Sequence, residues 1–146
     1  MIFYGSYRIN WGVYRPFISA WVFSSNEKWV KFSFLADTGA DETFLHHRSI
    51  DILNIDTSHL NVKTDVGGVG GSGVPYFQWE TRLKIISTKG ISKLFAGKVN
   101  VFLDPHASRV PILGRDVLDS FVVIFDREKD QIILMEQPDS YKIIMD

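Results

Sequence analysis

The chain has 146 residues and a formal net charge of −1, which fits one globular domain large enough to form its own hydrophobic core. It has no cysteine, which excludes disulfides and a thiol nucleophile, and its 16 basic residues form no cluster, which disfavours nucleic acid as a partner. No signal-peptide pattern and no apolar run of membrane-spanning length is visible, so we expect a cytoplasmic protein without a membrane partner.

The first half of the chain is predicted to be mostly β, because β-branched and aromatic residues alternate with frequent turn residues. Apolar residues 17–23 and alternating residues 28–35 predict a hairpin, since the turn sequence Ser24-Ser25-Asn26 lies between them. The second strand of this hairpin ends just before Asp37. Residues 47–53 fit either one or two helical turns or a short extended segment, and the sequence leaves this choice open.

The second half of the chain is also predicted to consist of strands and turns. Further strands are predicted at residues 60–64, 74–86, 92–102, 110–113, 121–125 and 131–135. Five glycines within residues 65–73 separate the first two of these strands, which favours a mobile hairpin over a linker. Residues 115–120 predict a short helix with Asp116 and Asp119 facing outward, and the charged residues 126–130 predict a turn.

The most informative segment is Asp37-Thr38-Gly39-Ala40-Asp41, which follows a hydrophobic strand. Gly39 permits a tight turn, Thr38 can brace the loop with its hydroxyl, and Asp37 is left at the tip for acid–base chemistry. The surrounding pattern, apolar-apolar-x-Asp-Thr-Gly-Ala-Asp-x-Thr, resembles the active-site loop of the retropepsin-like aspartic proteases. The resemblance implies that Asp37, Thr38 and Gly39 are catalytic and that Ala40 and Asp41 bind substrate.

A second feature is the sequence Val-Gly-Gly-Val-Gly-Gly at residues 66–71. It resembles the flap of retroviral proteases, a hairpin tip that opens to admit a peptide and closes to exclude water. The resemblance implies that Val66, Gly67, Gly68 and Val69 bind substrate. The glycine spacing matches neither of the common nucleotide-binding motifs, and no cofactor is predicted.

A third feature is the sequence Ile112-Leu113-Gly114-Arg115, which continues as Asp-Val-Leu. It resembles the strand and short helix that pass beside the catalytic loop in this class of protease. The resemblance implies that these four residues support the site, that Gly114 lets two strands cross closely, and that Arg115 pairs with Asp41. An arginine–carboxylate pair fixes geometry as well as charge.

The resemblance covers residues 28–136 of a single domain, residues 1–146, and is closer to cellular or prokaryotic retropepsin-like enzymes than to compact viral ones. It implies an all-β fold: a closed acid-protease barrel made of one retropepsin-like lobe, with a glycine-rich flap hairpin and one short C-terminal helix. The implied reaction, hydrolysis of peptide bonds in extended polypeptides, needs one carboxylate as a base on water and a second, protonated one as an acid. Because the chain has one Asp-Thr-Gly, the resemblance implies a homodimer that contributes Asp37 from each subunit.

Two other functions stay open on the sequence alone. The same fold can serve as a non-catalytic dimerisation or peptide-binding module, and a β-rich ligand-binding domain could carry the motif by chance. Adjacent His46 and His47 lack the spacing of a helical zinc motif, so no metal site is predicted. Ser72 and Ser108 lack the Gly-x-Ser-x-Gly setting of a serine hydrolase.

Overall fold

A computed structural model of the chain describes residues 1–68, 71–136 and 142–145. This part of the chain contains ten strands and two helices of one turn each, neither of them long or apolar enough to cross a membrane. The strands are β1 (Ile2–Asn10), β2 (Val13–Phe23), β3 (Trp29–Ala36), β4 (Phe44–Leu45), β5 (Val62–Gly68), β6 (Gly71–Ile86), β7 (Ser92–Phe102), β8 (Ile112–Leu113), β9 (Phe121–Asp126) and β10 (Gln131–Glu136), and the helices are α1 (Ser49–Ile52) and α2 (Arg115–Leu118). The predicted all-β class is confirmed.

The strands form one sheet that curls into a closed barrel. Their order is β5-β6-β7-β4-β8-β3-β2-β1-β10-β9, and β6 also pairs with β2. This extra pairing, between Trp21 and Lys84 and between Val22 and Leu83, joins β6 back to the middle of the sheet. Six strands, β6-β7-β4-β8-β3-β2, therefore close on one another, as the prediction of a closed barrel requires.

The short strand β8 lies between β3 and β4 and brings distant parts of the chain together. It runs parallel to β3, with Leu35 opposite Ile112 and Ala36 opposite Leu113, and antiparallel to β4. The N–H of Leu35 donates to the carbonyl of Pro111 at 2.8 Å. Parallel strands end on the same edge of a sheet, so the residues after β3 and those after β8 lie side by side.

The core follows from the alternation of apolar residues in the central strands. In β3, Phe32, Phe34 and Ala36 point inward, and in β2, Ile18, Ala20 and Val22 are fully buried. A smaller apolar cluster of Phe44, Tyr76 and Phe102 lies apart from the main core, with Val66, Val74, Ala107 and Ile112 packed against it. We call this second group the aromatic cluster; it joins β4 and β8 to the glycine-rich hairpin of β5 and β6.

The strand β1 and the early start of β2 are not predicted by the sequence analysis. Asn10 pairs with Val13 across a two-residue turn in which Trp11 and Gly12 have φ angles of 57° and 71°. Positive φ at both central residues is the signature of the hairpin turn whose twist matches that of the flanking strands. The turn is hard to recognise because tryptophan seldom occupies its first central position.

The two helices also differ in detail from the prediction. Residues 47–53, for which the sequence left two alternatives open, contain one helical turn, α1. This helix is additional to the single short helix expected near the C-terminus. The helix α2 begins at Arg115 as predicted and ends at Leu118, two residues before the predicted end at Ser120.

Candidate active site

The loop of Asp37, Thr38 and Gly39 begins where β3 ends, and its backbone is hydrogen-bonded to β8. The N–H of Asp37 donates to the carbonyl of Leu113 at 3.1 Å, and the N–H of Ala40 donates to the carbonyl of Asp37 at 3.2 Å. Thr38 and Gly39 are exposed, and Asp37 is half-buried. The loop therefore presents the Asp37 carboxylate at an accessible surface on a backbone that the sheet fixes.

The carboxylate of Asp37 is oriented by the backbone of its own loop. The N–H of Gly39 donates to Asp37 Oδ1 at 2.9 Å. Gly39 lies in a turn, as expected, and its φ is not positive, so close approach rather than a left-handed conformation favours glycine here. A Cβ at this position would lie 3.2 Å from Asp37 Oδ1, which indicates that glycine is used to bring the N–H close to the carboxylate.

Gly114 lies against the backbone of the segment that follows the loop. A Cβ added at Gly114 would lie 2.4 Å from both the carbonyl carbon and the carbonyl oxygen of Glu42. Real Cβ atoms do not approach backbone this closely, so only glycine fits where these two segments of the chain cross. The structure thus shows the close approach that the sequence resemblance implies for Gly114.

The first turn of helix α2 is hydrogen-bonded to the loop that contains Asp37. The N–H of Arg115 donates to the carbonyl of Ala40 at 2.8 Å, and the N–H of Asp116 donates to the carbonyl of Asp41 at 3.1 Å. Arg115 Nη2 lies 2.5 Å from Asp41 Oδ1, which is the expected pair. Because half or more of both side chains is exposed, this ion pair adds little to stability, and the backbone bonds fix the geometry.

A buried threonine completes the support, and the sequence analysis missed it. Thr43 is fully buried; its hydroxyl donates to Asp116 Oδ1 at 2.7 Å, and its N–H donates to Asp116 Oδ2 at 2.9 Å. The same hydroxyl accepts the N–H of Gly114 at 3.1 Å. Asp116 is exposed as predicted, but its carboxylate binds the loop. The threonine that ends the loop pattern is the signal that could have revealed this role.

Asn100 on β7 is a second supporting residue that the sequence analysis missed. It is 2 % exposed, and its Nδ2 donates to Glu42 Oε2 at 2.7 Å and to the carbonyl of Thr43 at 3.3 Å. Its own N–H donates to the same carbonyl at 3.1 Å. No local sequence pattern predicts this contact, because 57 residues separate Asn100 from Thr43.

The glycine-rich segment forms the hairpin that the sequence predicts. Its strands β5 and β6 pair Val66 with Val74, Gly67 with Ser72 and Gly68 with Gly71. Gly67, Gly68 and Gly71 are therefore paired, and β5 extends four residues beyond the predicted end. Val69, assigned to substrate binding by the resemblance, lies outside the described residues.

The histidines do not form a metal site in the described residues. Within residues 1–68, 71–136 and 142–145, no group of three or more histidine, aspartate or glutamate side chains is placed to hold a metal ion. His46 is buried, and its Nδ1 lies 2.9 Å from the hydroxyl of Ser49, which is also buried. Burial lowers the pKa of His46, and the nearby Arg48 contributes in the same direction. His46 is thus a neutral core residue at neutral pH.

Comparisons with known proteins show the family. A sequence model of the retroviral aspartyl protease family matches residues 13–125, which is more than half of the chain. No curated protein sequence matches the chain significantly.

Solved structures similar to this one include a retropepsin-like aspartic protease from Rickettsia conorii, with a TM-score of 0.62 and 24 % sequence identity. The match covers 92 % of this chain and 91 % of the Rickettsia conorii chain. They also include EIAV protease in complex with the inhibitor HBY-793, with a TM-score of 0.47, 27 % identity, and coverage of 72 % of this chain and 86 % of that one. The Rickettsia conorii structure shows that the fold is the retropepsin-like one.

Proposed function

The chain belongs to the retroviral aspartyl protease family, and we propose that it is an aspartic endopeptidase that is active as a homodimer. One observation carries the proposal. Asp37 presents a carboxylate on an accessible loop, with one oxygen held by the N–H of Gly39 and the loop backbone held by β8 and α2. A catalytic carboxylate depends on a fixed position, and the backbone bonds from β8 and α2 supply it.

The reaction needs two such carboxylates, and this chain has a single Asp-Thr-Gly. In the proposed dimer the two copies of Asp37 face each other across a two-fold axis. Two carboxylates at short range cannot both ionise easily, so they share one proton. The ionised one takes a proton from a water that attacks the scissile carbonyl, and the protonated one donates to the carbonyl oxygen.

The substrate is an extended peptide that binds like a strand between the loop and the hairpin. Ala40 and Asp41 lie beside Asp37, but their carbonyls already accept bonds from α2. Their part in substrate binding therefore falls to other groups, such as the N–H of Asp41. Residues 66–69 cover the peptide as a flap, and the glycines there allow the peptide backbone to approach closely.

The test is cleavage of a random-peptide mixture from acidic to neutral pH by the wild-type chain and by Asp37→Asn. The matched control is Asp56→Asn, because Asp56 Oδ1 also accepts the N–H two residues later, from Ser58, at 2.9 Å. We expect Asp37→Asn to lose activity by at least about 100-fold, since it can no longer ionise, while Asp56→Asn keeps it. Cleavage that persists in Asp37→Asn would overturn the assignment.

The dimer is tested by the dependence of activity on protein concentration. If each site needs two chains, specific activity rises with concentration and then saturates once the dimer dominates. Specific activity that is constant down to concentrations where sedimentation shows only monomer would contradict a shared site. A dimeric sample that binds peptides without cleaving them would instead support the non-catalytic peptide-binding module.

A further inference from the structure

A tyrosine and an aspartate join the two strands of the glycine-rich hairpin below its tip. Tyr76 on β6 is 3 % exposed, and its ring packs edge-on against Phe44 with a centroid distance of 5.4 Å. Its hydroxyl reaches out of the aromatic cluster and donates to Oδ1 of Asp65 on β5 at 2.5 Å. Asp65 itself is exposed, so the bond runs from a buried ring to the surface of the hairpin.

The chemistry of the pair favours this bond over the neutral range of pH. The hydrogen bond lowers the pKa of the Asp65 carboxyl and, together with burial, raises the pKa of Tyr76 to about 12. At a pH between the pKa of Asp65 and that of Tyr76, the phenol carries the proton and the carboxylate carries the charge. Hydrogen bonds with one charged partner are stronger than those between neutral groups.

The pair lies at the point where the backbone pairing of the hairpin is irregular. Lys63 is paired with Tyr76, but the next pair is Val66 with Val74, so two residues of β5 face Pro75 alone. Proline has no N–H to donate, and the carbonyl of Pro75 accepts a bond from Leu103 on the other side. The backbone ladder is therefore interrupted here, and a side-chain bond spans the interruption.

The ring of Tyr76 also connects the hairpin to the catalytic loop. Phe44, which it contacts, is the residue after Thr43, whose N–H and hydroxyl bind Asp116. The ring of Phe44 also stacks on Phe102 at a centroid distance of 4.6 Å. A hydrogen bond from Tyr76 to Asp65 and the packing of Tyr76 on Phe44 thus connect the outer part of β5 to the segment that supports Asp37.

We propose that Asp65 and Tyr76 are positioning residues for the proposed peptidase reaction: their hydrogen bond holds the pairs from Val66 with Val74 to Gly68 with Gly71 in one register. Without the bond, the bulged strand samples other pairings, because a glycine-rich strand has few side chains to define its register. Only the fraction of molecules with the correct pairing then binds peptide well, which weakens apparent affinity in proportion. The bound complex orders the hairpin, so the chemical step is unchanged. The inference rests on the proposed function for its effect on catalysis, but not for its effect on the hairpin.

The experiment compares Tyr76→Phe, Asp65→Ala and the double variant with the wild type. Tyr76→Phe keeps the buried ring and removes only the hydroxyl. Tyr4→Phe is the control, since it removes a hydroxyl from an exposed tyrosine on β1, outside the hairpin. Amide hydrogen exchange of β5 is measured in the resting protein, and KM and kcat are measured on a peptide that the wild type cleaves.

We expect exchange in β5 to accelerate about ten-fold in both single variants, with no further rise in the double variant, because either change removes the same bond. KM rises by a similar factor while kcat stays within about two-fold. Unchanged exchange, additive effects in the double variant, or faster exchange with an unchanged KM would each overturn the proposal. If the wild type cleaves no peptide, the proposed function fails, and the exchange data alone decide whether the bond fixes the hairpin.

Discussion

Replacing Gly114 by alanine tests how closely the end of β8 must approach the segment that follows the candidate catalytic loop. The new Cβ would lie 2.4 Å from the carbonyl carbon and oxygen of Glu42, about 1 Å inside ordinary contact. Neither partner is a flexible side chain, so the two backbones must separate. Overpacking of this kind costs about 1–3 kcal/mol. A separation of about 1 Å also breaks the bonds from Gly114 N–H to Thr43 and from Arg115 N–H to Ala40, at about 1 kcal/mol each.

The expected loss is therefore about 3–5 kcal/mol of the free energy of unfolding, a large part of the stability of a domain of this size. Urea unfolding of Gly114→Ala measures it. Gly12→Ala is the comparison, because Gly12 has a φ of 71° and no atom within 4 Å of the added Cβ, so it reports backbone strain alone at about 1–2 kcal/mol. The reasoning would be refuted if Gly114→Ala cost no more than Gly12→Ala.

Two further predictions concern buried polar groups. Thr43→Val leaves Asp116 Oδ1 and the N–H of Gly114 without their partner and should lower the free energy of unfolding by about 2–3 kcal/mol, whereas Thr43→Ser keeps the hydroxyl and should cost about 1 kcal/mol in urea unfolding. The folded pKa of His46 is below its unfolded value of 6.5, so its contribution to stability is complete above that pH and is lost as pH falls below it. His46→Asn, which can still bind Ser49, should flatten this fall in urea midpoints as pH is lowered below 6.5, and an unchanged profile would show that another group causes it.

The candidate catalytic loop could be picked out from the sequence because its pattern is local. A tight loop after a hydrophobic strand favours an aspartate and a glycine within a few positions, and these are visible as Asp37-Thr38-Gly39. The strands β3, β6 and β7 and the hairpin between β5 and β6 were predictable for the same reason, since alternation and glycine content act over a few residues. The turn at Trp11 and Gly12 was missed because its conformation is set by pairing of β1 with β2.

The sequence by itself determined the class of fold and the position of the candidate catalytic aspartate, because each depends on neighbouring residues; the proposal of a second copy rests on the single Asp-Thr-Gly. The tertiary structure alone decided how that aspartate is held. Barrel closure by β2 and β6, the burial of Thr43 against Asp116 and the contact of Asn100 with Glu42 all join residues more than 50 positions apart. Such contacts arise from the packing of whole strands, and no local pattern of side chains encodes them.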